Sequence, residues 1–392
     1  MTSWRAFARC VIATLLCGCP TTTPQTPPPT TPTTPKPTQP NQPARPVDAI
    51  TQIASRDQHS CATRHDGTVL CWGKNTYGQL GDGSREDRSH AVRVVGLADA
   101  VEVAVGVDFS CARRKGGTVV CWGNDQDGQL GGGKGGRPGI YSVQPQSVFG
   151  LRDVVQISAG EYHACARGRD GSVRCWGNAE NGQLGSDSQR VFPTPRTIPD
   201  VDATAIACGG NHVCAVARTG KLLCWGRNTE GEIGDGKSGS RYRASEVVGV
   251  TDAVDIAAGI AHSCARRRGG GIVCWGDNTG GQLGAAAGRD RKRDRPVAIA
   301  GVPQAIQLAA GGDTSCALQS SGRVLCWGGN GSGQLGPGVT GSSRNAPVVV
   351  RGVDDAIAIS LGRKHVCAAR KRGDAVCWGS NEHGALGPRP LH

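Results

Sequence analysis

Fourteen cysteines stand in seven pairs, each pair ten positions apart: Cys61 and Cys71, Cys111 and Cys121, Cys165 and Cys175, Cys214 and Cys224, Cys264 and Cys274, Cys316 and Cys326, Cys367 and Cys377. Trp-Gly follows each second cysteine, as in Cys71-Trp72-Gly73. Paired thiols can hold zinc, form disulfides or stay reduced in a core. Zinc takes four ligands in tetrahedral geometry, so each pair would lack two, and a ten-residue spacing on strands is not a metal knuckle. Two cysteines facing each other across a hairpin approach the Cβ separation that a disulfide needs. Disulfides are therefore expected, with reduced core thiols as the alternative.

Other chemistry dissolves into the same repeat. Gly231-Glu-Ile-Gly-Asp-Gly-Lys-Ser238 spells a phosphate loop, but that loop works only between a strand and a helix N-terminus. Here it matches Gly78-Gln-Leu-Gly-Asp-Gly-Ser84, a turn of the repeat. Histidines two positions before the first cysteine (His59, His163, His212, His262, His365) suggest a ligand ring, yet Phe109 and Thr314 fill that slot elsewhere, which favours a repeated structural hydrogen bond. The seven tryptophans that follow the second cysteines read as blade packing rather than a carbohydrate platform. Arg289-Asp-Arg-Lys-Arg-Asp-Arg295 reads as a solvated loop between blades, with an anion-binding patch as the alternative. Cys208, beside Gly209, is expected to be buried and small rather than reactive. No catalytic constellation, metal cluster or cofactor motif stands apart from the repeats, so no enzyme is expected.

The elements that carry these residues are strands. Around Asp170-Gly171, the segments His163-Ala-Cys-Ala-Arg and Ser172-Val-Arg-Cys-Trp alternate at period two, which predicts a tight hairpin. Two further strands per repeat are expected near Ile157-Ser-Ala-Gly160 and Pro347-Val-Val-Val350. An aliphatic residue lies eight positions before each first cysteine, and a glycine lies five before it in every repeat but the first, where Arg56 stands. Glycine is 60 of 392 residues and aromatics only 4%, the composition of many short strands and tight turns. First cysteines recur every 49 to 54 residues. The expected fold is all-β, a seven-bladed β-propeller of four-stranded antiparallel blades over residues 48–387.

Ahead of it, Arg5 and Arg9 precede a short apolar run, Cys10 to Leu16, too short to span a bilayer. Leu16-Cys-Gly-Cys19 resembles a bacterial lipoprotein signal, which implies cleavage after residue 18 and lipidation at Cys19, or plain secretion if the signal is of the ordinary kind. Residues 20–46 hold eleven prolines and nine threonines, and at ~3.1 Å per residue in polyproline II such a segment within 19–47 reaches about 80 Å as a stalk. Residues 388–392 form a tail. Cys10 and Cys17 fall in the signal.

The repeats resemble the regulator of chromosome condensation family through Ile157-Ser-Ala-Gly-Glu-Tyr-His-Ala-Cys-Ala, Gly171-Ser-Val-Arg-Cys-Trp-Gly and Asn181-Gly-Gln-Leu-Gly185, recurring over residues 48–387. This resemblance implies a seven-bladed propeller. Only seven residues separate Pro46 from Ile53, against twelve from Pro347 to Ile359, so one blade is expected to lack a strand or the ring to close weakly. Nuclear members exchange nucleotide on a GTPase or contact chromatin, roles that fit an exported chain poorly. Secreted bacterial propellers of this type imply protein binding.

The formal charge of +12, about +10 without Arg5 and Arg9, suits an acidic partner or an anionic surface. One turn varies at a fixed place: Tyr77, Asp127, Asn181, Glu230, Gly280, Ser332 and His383. These are expected to ring one face. The leading expectation is a monomeric binding module on the cell envelope, outer membrane or surface, held by its lipid. Its partner would be a protein or an anionic envelope polymer, not nucleic acid. A structural envelope or coat protein is the alternative, with an exchange factor or a propeller-type hydrolase or lyase behind it.

Overall fold

The computed structural model describes residues 48–186, 190–288 and 290–388. The leader, Cys10, Cys17, Cys19, the stalk, Arg289 and residues 389–392 lie outside the described residues.

Each repeat folds as one blade, its strands antiparallel and ordered from the axis outward. Blade 1 uses Ile50–Arg56 (inner), His59–Arg64 (second), Val69–Gly73 (third) and Arg88–Arg93 (outer). Six blades have four strands, and the long strand Val191–Cys208 serves two of them, as outer strand of blade 3 and inner strand of blade 4. Blade 7 has three: Ala356–Leu361, His365–Arg370 and Ala375–Gly379. The strand expected to be missing is thus the last outer one among the described residues, while the first blade is complete. The basic run needs a correction. Lys292 to Arg295 belong to the outer strand Lys292–Ile299 of blade 5 rather than to a loop, because an edge strand tolerates charge on its open side.

The second and third strands form the predicted hairpin. Each cysteine lies directly opposite its partner, as Cys165 does Cys175, with Cα atoms 4.0–4.1 Å apart, and seven disulfides form. They belong to the oxidising compartment of an exported protein.

Neighbouring blades join through buried polar contacts as well as apolar packing. The indole N–H of Trp122 donates to the Gln79 carbonyl of the preceding blade at 2.8 Å, and Trp176, Trp225, Trp275, Trp327 and Trp378 repeat this contact. Trp72 completes the circle onto the Ala385 carbonyl at 3.0 Å, so blade 1 seats on blade 7 as the others seat on theirs. Ile50 N–H also donates to the Gly373 carbonyl, and Ser55 N–H to Ser360 Oγ. Ring closure therefore needs no exchanged strand.

The histidine slot is structural. His59, His212, His262 and His365 each contact a serine of the next blade (Ser110, Ser263, Ser315, Ser60) at 2.8–3.0 Å. Burial holds these imidazoles neutral, at about 3 for His59 and His212 and about 4 for His262 and His365. Where the next blade offers Ala164, the slot holds Phe109. His163 faces a blade that offers Val213, and both its ring nitrogens lack a partner. The glycine five before the cysteine makes room for this ring: a Cβ on Gly160 would stand 2.1 Å from His163 Cε1.

Candidate functional site: two faces and an axial channel

Strand direction sorts the connections. Turns between inner and second strands and loops between third and outer strands emerge on one face, called here the loop face. Hairpin turns and the connectors to the next blade emerge on the other.

On the loop face lie all seven positions of the variable turn. A fixed frame holds them: the backbone N–H of Tyr77 donates to Gln79 Oε1 at 2.9 Å, and Leu80 N–H to Asn75 Oδ1. Asp127, Asn181, Glu230, Gly280 and Ser332 are held in the same way by the buried Gln or Glu two residues on, at 2.7–2.8 Å. His383 is the exception, because Ala385 stands where that side chain would be. Its imidazole pairs instead with Asp87 of blade 1 at 2.6 Å. In six blades the frame is constant while the side chains differ, an arrangement that can recognise a surface.

Inside this ring lies a second one, made by the turns after the inner strands. Lys74 pairs with Asp108 at 2.9 Å, Gln79 donates to the same carboxylate, and Gln58 donates to Glu382. Desolvation raises the Asp57 and Asp313 carboxyls here above their ordinary values.

The inner strands enclose a channel of about 230 Å³. Side-chain amides zip these strands together: Gln52 donates to Val103 O and accepts from Val103 N, and Gln156 with Ile206 and Gln307 with Ile359 repeat the pair. Arg56, the residue standing where the other repeats have glycine, crosses the channel from blade 1 to the Cys208 carbonyl of blade 4 at 3.2 Å. It closes the channel toward the loop face, and its Nη2 has no partner. Cys208 is buried, its Sγ contacts Ser158 O at 3.5 Å, and burial pushes its thiol up to about 12. It is a packing residue.

Two features escaped sequence reading. The channel-crossing role of Arg56 had a signal, the single break in a glycine column. The hairpin turns had one too. Four residues after each first cysteine stand His65, Lys115, Arg169, Arg218, Arg268, Ser320 and Lys371, a nearly all-basic column on the face opposite the variable ring. Beside Arg169 lies a cleft of about 590 Å³ lined also by Arg152, Arg174 and Asp153. Among the described residues no cluster of His, Cys, Asp or Glu suits a metal ion.

The RCC1-like domain family matches residues 16–300 and 142–391. The ultraviolet-B receptor UVR8 of Arabidopsis thaliana is 30% identical over 347 residues, covering 86% of this chain and 78% of the receptor. The human E3 ubiquitin-protein ligase HERC2 is 28% identical over 153 residues, 38% of this chain but 3% of the ligase, so the chain spans a small fraction of that relative. Among solved structures, yeast RCC1 (Prp20), in its complex with Kap60, superposes with a TM-score of 0.73 at 20% identity over 88% of this chain and 86% of that one. Human WBSCR16 gives 0.72 at 24% identity over 82% and 91%. At such identities the superpositions speak for the fold.

Proposed function

Because the chain belongs to the RCC1-like domain family, we propose that it is a protein-binding propeller module, exported, tethered to the cell envelope through a lipid on Cys19, and without catalytic activity. The observation that carries this reading is the frame of the variable turn. Six of its seven positions have their backbone N–H held by the same side-chain bond. Rigid backbone keeps the ordering entropy of binding low, so side chains of differing chemistry can be selected for one partner surface. The neutral, buried histidines and the high thiol pKa of Cys208 support a non-catalytic role. Yeast RCC1 is seen in complex with another protein, Kap60, which supports a propeller of this family as a docking body, though not the same partner.

The test uses the full chain with Cys19→Ser as bait against envelope and culture proteins. A saturable protein partner is expected, and Tyr77→Ala, Asp127→Ala and Glu230→Ala combined should weaken it at least about tenfold, the loss of one or two moderate contacts. Absence of any saturable partner, or unchanged binding by a triple variant with intact disulfides, overturns the reading.

A further inference from the structure

The column of cations at the hairpin turns has a use that the fold leaves open. In four blades the turn begins with a tandem pair: Arg64-His65, Arg114-Lys115, Arg267-Arg268 and Arg370-Lys371. The first member of each is spent internally, on Asp48, Asp99, Asp252 and Asp355 of the adjoining connector, at 2.5–3.1 Å. The second is exposed. Lys115, Arg268 and Lys371, with Arg169 of blade 3, have no ion pair among the described residues, whereas Arg218 is paired with Asp202. Blade symmetry sets these four free cations around one circle on one face.

Apolar side chains share that face. In six blades the register shifts at the second residue of the inner strand, and in blade 4 it shifts at Thr204 of the long strand Val191–Cys208, a bulge that turns the skipped residue out of the ladder. Val101, Val254 and Ile306 occupy such positions and are 42%, 37% and 51% exposed. Phe149, in the connector after blade 2, is 68% exposed. Val101, Val254 and Ile306 lie around the axis inside the circle of unpaired cations, and Phe149, just past the outer strand Tyr141–Ser147, lies outside it. Apolar side chains set among unpaired cations match a surface with phosphate headgroups outside and hydrocarbon beneath. Asp48 and Ala49, the first described residues, join the inner strand of blade 1 on this same face.

We propose that the hairpin face docks on a bilayer rich in anionic phospholipid, the surface to which the tether leads. The idea rests on the export-and-anchor reading only for where the chain is held, not for the binding chemistry. The variable ring then faces away from the membrane.

The experiment is co-sedimentation of the full chain with Cys19→Ser, which removes lipidation, using vesicles of phosphatidylglycerol with phosphatidylcholine and vesicles of phosphatidylcholine alone. Binding to the anionic vesicles only, falling as salt rises, is expected. Lys115→Glu, Arg169→Glu, Arg268→Glu and Lys371→Glu together should weaken it about tenfold or more, while Lys134→Glu, Arg137→Glu, Lys237→Glu and Arg344→Glu on the opposite side of the blades should weaken it far less. Equal binding to both vesicle types, equal effects of the two variants, or no sedimentation overturns the proposal. So does capture of an acidic protein by the hairpin face in place of vesicles. Retention of protein-partner binding by the hairpin-face variant separates this failure from failure of the binding-module reading.

Discussion

At position 125 an aspartate stands where five other blades place asparagine: Asn75, Asn228, Asn278, Asn330 and Asn381. The asparagine amide does two things, accepting from a backbone N–H of the turn and donating its Nδ2 to carbonyls across the loop, as Asn228 does to Lys237 O at 2.7 Å. A carboxylate can perform only the first. Asp125 accepts from Leu130 N–H at 2.9 Å, and its burial pushes the carboxyl up from 3.8 to about 6. A raised carboxyl pKa means that the folded state binds the proton more tightly than the unfolded one. Stability therefore falls as pH rises from about 4 through 6, and the ionised group stays a liability above that. Asp125→Asn is expected to stabilise the protein by roughly 2 kcal/mol at pH 8, with the gain shrinking as pH falls from 6 toward 4. Urea unfolding at pH 8 and pH 4.5 checks it; an equal gain at both pH values would show that the charge is not the cause.

At the scale of the element, the disulfide hairpin is the repeated unit. Closing an eleven-residue loop removes denatured-state freedom worth about 2.8 kcal/mol at 25 °C. Cys264→Ala with Cys274→Ala should accordingly lower stability by about 2–3 kcal/mol in denaturant titration, with the fold kept by the remaining bridges. Native mass spectrometry after alkylation without reductant should find fourteen cysteines protected by pairing and Cys208 protected by burial. Alkylation of the paired cysteines would refute the staples. The strand pattern made this hairpin legible, because period-two alternation about Asp-Gly carries both register and turn. Less legible was the outer strand of blade 5. Its charges, Lys292 to Asp294, look like loop because an edge strand shows one side to water.

For the whole molecule, the decisive contact is the closure. Among the described residues blade 7 has no outer strand, but the segment after Gly379 still places Ala385, Leu386 and Gly387 against Trp72. A chain ending at Gly379 should lose cooperative thermal unfolding and melt well below the full chain, since the buried indole N–H would be left without an acceptor and its packing removed. A melting curve unchanged by the truncation would mean that the ring closes without this segment. From the sequence alone came the repeat number, the hairpins, their cysteine pairing and the fixed place of the variable turn, because each follows from spacing within one repeat and local backbone chemistry. The tertiary structure decided what spacing cannot hold: that Arg56 spans the channel to Cys208, that four of the five slot histidines are answered by a serine of the next blade, and that the basic column and the variable ring lie on opposite faces. Those are relations between blades, and they exist only once the ring has closed.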